Sequence, residues 1–195
     1  MPVNELVELR TKKDIIKNTR IKLAINCAPL LKGSKAANIM TVTLQEFYII
    51  KDMLKNTCIS CYLLRGKMDM FNLYLYRREQ IEHYLAKDCI KDFLSLYGYN
   101  TDSFEKMLVR LAVRCKAFSD NVHEFPHEIG VFLEYPIEDV KGFIENKGEN
   151  FSYIGYWKVY HNQSFAKRLF RQFDREKELV VREMLDGRNI LEIVA

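Results

Sequence analysis

What this chain of 195 residues lacks narrows its class first. No apolar run approaches the ~20 residues needed to cross a bilayer, so no membrane span is expected. The opening MPVNELVELRTKKD is charged throughout, without an apolar h-region, and reads as carrying no export signal. Prolines number four and glycines eight. They form no linker, and there is no internal repeat or low-complexity stretch, so a single globular domain over residues 1–195 is expected. Gly130, Gly142 and Gly148 follow no predicted strand, which excludes a dinucleotide fingerprint or a P-loop. Four histidines without H-x-x-x-H spacing, and no serine-centred elbow, argue against a zinc hydrolase or an α/β-hydrolase. Five cysteines, an odd count, point to a reducing cytoplasm rather than a disulfide scaffold. The net charge of +4 permits an anionic partner without requiring one.

What is present reads as interleaved helices and strands. Residues 1–20 suggest a short polar helix anchored by Ile15 and Ile16. Ile21 to Ile25 fits a strand or a helix end, and Asn38 to Val42 a short strand. Thr43-Leu-Gln-Glu46 is a capping box opening a helix that closes near Asn56. Cys58 to Leu64 and Met68 to Tyr76 flank Arg65-Gly66-Lys67 as a β-hairpin. Cys58-Ile-Ser-Cys61 has redox spacing but lies in a strand, where i and i+3 point to opposite faces, and no second cysteine pair completes a zinc site. Apolar periodicity predicts one helix from Glu79 to Leu96, with Cys89 in the core, and another along Phe104, Leu108, Leu111, Cys115 and Phe118. Beside the latter, Lys106, Arg110 and Arg114 form a basic stripe that reads as a solvated face. His123 reads as solvent-exposed. Gly155 to His161 reads as a strand with Tyr156, Lys158 and Tyr160 on one face, opposite Trp157 and Val159. Asn162 or Ser164 caps a long helix to Leu185, with Phe165, Leu169, Phe173, Val180 and Met184 inward, and Asn189 to Val194 reads as a closing strand. The expected fold is α+β: a small mixed sheet including a β-hairpin, packed by several helices.

The least ordinary stretch is Phe125 to Trp157. Pro126 and Pro136 suit helix starts, and Phe125 and Tyr135 before them are pushed to extended backbone. Ile129, Phe132 and Leu133, then Ile137, Val140, Phe143 and Ile144, give two short apolar faces. Gly130 and Gly142, inside these helices, imply the close approach of another group. The spacing also suits a helix-turn-helix, the alternative reading for a DNA-binding or regulatory module. The second helix, however, carries Glu138, Asp139 and Glu145 against Lys141 and Lys147, which opposes contact with phosphates and disfavours nucleic acid.

FPHEIGVFLEYPIEDVKGFIENKG, followed by GYWKVYHN, together with Cys27-Ala-Pro29 and Lys35-Ala-Ala-Asn38, resembles an uncharacterised family known only as a domain of unknown function, found mainly in anaerobic Gram-positive bacteria. The resemblance covers nearly the whole chain and implies no activity, cofactor or partner. The sequence departs from the family pattern at Asn26 (His expected), Ala36 (Pro expected) and Glu134 (Gly expected).

Two constellations carry the chemistry. Cys27 precedes Ala-Pro in a segment the proline holds, and is a candidate nucleophile or soft ligand as well as a candidate core residue. His127-Glu128 lies at a first helical turn, where the dipole favours neutral imidazole, the form that binds metals or accepts protons. The alternative is that this pair braces the loop before Pro126. The functional reading is one pocket for a small ligand or a metal-bearing cofactor. Cys27, His127, Glu128, Tyr156, Lys158 and Tyr160 border it, and Cys27 and His127 are the candidate metal ligands. The identity of any cofactor stays open, as does the choice among enzyme, carrier and regulatory module.

Overall fold

The computed structural model describes residues 15–64, 66, 69–120 and 124–194. The expected helix over most of residues 1–20, the hairpin residues Arg65 and Lys67, and His123 lie wholly or partly outside them. The elements in chain order are α1 (Ile15–Leu31), β1 (Ala37–Thr43), α2 (Leu44–Met53), β2 (Ile59–Leu64) and β3 (Met70–Arg77). They continue with α3 (Arg78–Leu85), α4 (Asp88–Ser95), α5 (Phe104–Ser119), α6 (Ile129–Phe132) and α7 (Ile137–Glu145). The last are β4 (Tyr153–Ile154), β5 (Lys158–Val159), α8 (Gln163–Leu185) and α9 (Ile190–Ile193).

The α+β class and the hairpin are as expected, and every strand pair among the described residues is antiparallel. The main sheet has the order β1-β3-β2, with Ile39 opposite Tyr74 and Tyr62 opposite the same Tyr74. Period-two alternation then divides the interior. Ala37, Leu64, Tyr74 and Tyr76 face a core closed by α3 to α7, whereas Met40, Val42, Leu73 and Leu75 face a second core closed by α1, α2, the end of α8 and α9. A third cluster joins Trp157 and Val159 to Ala166, Phe170 and Phe173 at the start of α8.

Ile21 to Ile25 belongs to α1, which continues through Pro29 to Leu31. At its end, Arg77 donates to the carbonyls of Leu30 (2.8 Å) and Leu31 (2.9 Å), satisfying acceptors a helix terminus leaves open. α1 runs antiparallel along α8. Arg20 reaches the carbonyl of Arg188 at 2.6 Å, Lys32 pairs with Glu183 at 2.8 Å, and Ser34 bonds Glu176.

Several local expectations are corrected. The Glu79–Leu96 helix divides because Lys87 is extended (ψ 135°), and α4 starts afresh at Asp88, leaving Cys89 exposed. Asn189 to Val194 is a helical turn, not a strand, with Asn189 accepting from the Leu191 N–H at 3.2 Å. On α8 Phe173, Val180 and Met184 are buried as expected, but at its start Ala166 and Phe170 are buried in place of the exposed Phe165, and Val181 joins the core. Asn162 is its cap, holding the Phe165 N–H.

Candidate functional site

Cys27 and His127 are not brought together. Cys27 sits in the core behind the sheet, against Met40 (3.8 Å) and the Asn38 amide (3.7 Å), fully buried. Burial pushes its thiol up to about 12, so it is a neutral core group rather than a thiolate nucleophile at neutral pH. The sequence expectation of a reactive Cys27 gives way because α1 turns that position inward. Cys61 likewise edges this core, its thiol raised by burial, while Cys58 meets the Arg77 guanidinium at 3.0 Å. Among the described residues, no cluster of three or more His, Cys, Asp or Glu could hold a metal ion.

His127 lies on the other side of the sheet, exposed, its ring between Phe125 (5.3 Å) and Phe143 (5.0 Å). Its neighbour Glu128 turns the opposite way and is fully buried. The Glu128 carboxylate accepts from Arg114 Nε, from Arg114 Nη2 at 3.2 Å and from the Tyr99 hydroxyl at 3.0 Å. Glu128 is therefore the brace of this loop, not a ligand-facing group. On the basic stripe of α5 Lys106 is exposed as expected, but the two arginines are partly buried: Arg114 serves Glu128, and Arg110 donates to the Tyr97 carbonyl at 3.0 Å behind α4.

The expected strand face of Tyr156, Lys158 and Tyr160 does not form, because β5 is only Lys158–Val159. Tyr156 packs on α8 against Phe170 and Phe173 and donates to Asp174 at 2.9 Å. Tyr160 lies on Gly142 of α7. Only Lys158 joins His127. Lys158 Nζ donates to the Gly148 carbonyl at 2.6 Å and lies over Phe151 (4.7 Å) and Phe143 (5.8 Å).

Between His127 and Lys158 is a cavity of about 200 Å³, walled chiefly by Leu133, Val140, Phe143 and Trp157. The glycines explain how its walls close. A Cβ on Gly130 would come within 2.9 Å of Val140, so α6 and α7 meet only because that carbon is missing. At Gly142 a Cβ would stand 2.6 Å from Tyr160 Cγ and 2.7 Å from its Cβ, the rigid base of that side chain. The close groups implied by these glycines are the protein's own side chains. Gly142→Ala is expected to destabilise by about 1–2 kcal/mol, overpacking outweighing the gain of about 1 kcal/mol in helix propensity. Urea denaturation checks it, and an unchanged or raised midpoint would mean that Tyr160 swings clear. Asp139, 2% exposed, binds the cavity together from α7. It accepts from Trp157 Nε1 at 2.7 Å and from the backbone N–H groups of Tyr160 (2.8 Å) and His161 (2.7 Å).

Sequence reasoning missed a second polar site. Lys35 is 6% exposed, bonded to the Asn38 amide oxygen at 3.2 Å and set over the Tyr135 ring at 5.2 Å. Burial lowers its pKa to about 8. Glu134 stands nearby with φ +59°, a left-handed conformation uncommon outside Gly, Asn and Asp, and accepts from the Ala36 N–H at 2.6 Å. Burial raises its carboxyl pKa. Ala36 and Glu134, 98 positions apart in the chain, touch here through that hydrogen bond. A proline at position 36 would have no N–H to give, and a glycine at position 134 would have no acceptor. No short-range pattern in the sequence signals this pair, because its members lie far apart in the chain.

The exposed residues of α7 are Glu138, Lys141 and Glu145, and α6 is a single turn of four residues, which leaves the helix-turn-helix alternative without a basic recognition face. No described helix is long and apolar enough to cross a membrane. No curated protein and no solved structure matches the chain. A family model described as "Protein of unknown function (DUF3793)" matches residues 23–194, nearly the whole of the chain described above. The chain therefore belongs to the DUF3793 family.

Proposed function

We propose that this protein binds a small, flat, apolar molecule bearing a carboxylate, in the cavity between His127 and Lys158. The observation that carries this reading is the lining itself: aromatic and aliphatic walls with two nitrogen-bearing side chains at the rim, the pattern of a ligand site. Lys158 gives one of its three N–H donors to Gly148 and keeps two for an anion. The volume suits a single substituted ring rather than a nucleotide. The Asp139 oxygens in the wall are already engaged by three N–H groups, so they do not repel an anion as a free carboxylate would. All five cysteines are free, which supports a reducing compartment such as the cytosol.

Trp157, the single tryptophan, lines the cavity and makes the test direct. Titration with benzoate, phenylacetate and indole-3-carboxylate is expected to quench its emission saturably. Lys158→Met is expected to weaken carboxylate binding about tenfold, equivalent to about 1.4 kcal/mol, while leaving benzyl alcohol unaffected. Absence of saturable quenching by any of these probes, with native mass spectra showing no bound or co-purified species, would remove the proposal.

A further inference from the structure

The Lys35 region is a separate site on the other side of Trp157. Two adjoining cavities, of about 310 and about 290 Å³, share Ser34, Lys35, Tyr84, Lys87 and Glu134 in their walls. One extends between Trp157, Phe165 and Leu169 and is apolar; the other extends past Gln80 and His83 and is polar. Phe165, turned out of the core and exposed, is part of the apolar end. Lys35 stands where the two meet. Among the described residues it forms no salt bridge, and the Asn38 amide oxygen is its one hydrogen-bond partner. A buried ammonium with one neutral acceptor is poorly supported as a purely structural group, because desolvation of the charge goes largely uncompensated.

We propose that Lys35 is a Schiff-base-forming lysine, and that the cleft takes a 2-oxo acid with an apolar side chain. The carbonyl carbon lies at Lys35, the carboxylate turns to Lys87 and His83, and the side chain runs toward Trp157 and Phe165. The neutral Nζ lone pair attacks the carbonyl carbon. A C–N bond forms, the C=O π pair moves to oxygen, and a proton shed by the newly four-bonded nitrogen passes to that oxygen, which restores the nitrogen lone pair. The carbinolamine then loses water. The Glu134 carboxyl supplies the proton for the departing hydroxyl, and the nitrogen pair closes the C=N bond. One amine, one carbonyl and one proton give one iminium and one water, with no change of oxidation state. Nucleophilic lysines need a neutral fraction near neutral pH, and desolvation supplies it. With a pKa of about 8, about a tenth of Lys35 is neutral at pH 7, against less than a thousandth for a free lysine. The titratable or charged groups that face it are Glu134 and Tyr135 from the α6–α7 turn, Tyr84, His83 and Lys87 from the end of α3, and Cys27 from α1. Cys27 is neutral in this range, its thiol being held up to about 12, so Glu134 is the acidic neighbour that matters.

The test is reductive trapping on the full-length protein with phenylpyruvate and cyanoborohydride, read by intact mass and peptide mapping. One reduced adduct per chain is expected at Lys35, at least tenfold above any other lysine, with a rate that rises with pH through a midpoint near 8. Lys35→Arg removes it. Lys87→Met lowers capture of phenylpyruvate about tenfold and leaves phenylacetaldehyde, which lacks the carboxylate, within twofold. Adducts spread over exposed lysines without excess at Lys35, or no adduct at saturating phenylpyruvate, would overturn the proposal. The wild-type map decides this even where a variant fails to fold. The chemistry is also independent of the His127–Lys158 cavity: Lys158→Met is expected to weaken benzoate binding about tenfold and spare the Lys35 adduct.

Discussion

Glu128→Ala is expected to lower the free energy of unfolding by about 3–5 kcal/mol, the range for breaking a buried ion pair from one side. Glu128 is fully buried, and its carboxylate is the meeting point of α5, the Tyr99 loop and the turn before α6. Removing it strands the Arg114 guanidinium, whose side chain is only 24% exposed, and leaves the Tyr99 hydroxyl without its acceptor. Arg114 can recover part of its hydration through that opening, which places the expected loss toward the lower end of the range. Glu128→Gln keeps the volume and one acceptor but not the charge, and is expected to cost about half as much. Urea denaturation measures both. The double variant with Arg114→Ala should lose clearly less than the sum of the two singles, because the second change removes the charge stranded by the first. A single-variant loss under about 1 kcal/mol would show that water reaches the carboxylate and that the brace is weak.

Asp139→Ala is expected to cost about 3 kcal/mol, with a red shift of Trp157 emission. Three N–H groups converge on this one carboxylate, from Trp157, Tyr160 and His161, and a buried donor left without an acceptor costs about 1–3 kcal/mol. Partial relaxation of the β5 end keeps the total below the simple sum. Asp139→Asn should be milder for the backbone pair, since one amide oxygen can still accept from Tyr160 and His161. Its NH2 group, however, then faces the indole N–H, two donors with no acceptor between them. The spectral shift is therefore expected in both variants, and the large stability loss in the alanine variant alone. An unshifted emission would mean that Trp157 is held by its ring contacts alone, to Tyr135 at 4.9 Å and Phe170 at 4.5 Å.

Much of the local structure was readable because it is written in short-range chemistry. The Thr43 capping box forms as expected, with the Glu46 side chain returning to the Thr43 N–H at 2.8 Å. Asn162 caps α8, and Gly187 (φ +85°) follows its end. The helical face of α5 follows its apolar period from Phe104 to Cys115, with Phe118 beyond it exposed, and α7 follows its own through Ile137 and Val140. Reading failed where a short pattern had two solutions. Asn189 to Val194 alternates over too few residues to separate a strand from a capped turn, and Gly155 to His161 pairs only at Lys158–Val159, so its side chains do not keep the alternation of a strand.

The candidate site divides along the same line. That Phe125 to Trp157 is special and that Gly130 and Gly142 mark a close approach were present in residue type and spacing. Which polar residues are buried, and against what, was not. Glu128 read as a candidate ligand or a loop brace, Asp139 as an acid opposing phosphate contact, Arg114 as part of a solvated stripe, and Lys35 only as part of a motif. Their burial depends on which side of the sheet each segment returns to, and on contacts far apart in the chain: Glu128 with Arg114, Asp139 with Trp157, Glu134 with Ala36. The sequence by itself determined the class of the fold, the helix caps and the apolar faces, since hydrogen bonds within a few residues and side-chain periodicity decide those. Only the tertiary structure separated Cys27 from His127 and set Lys35 beside Glu134, because desolvation of a charged group is settled by the elements that close over it, wherever in the chain they arise.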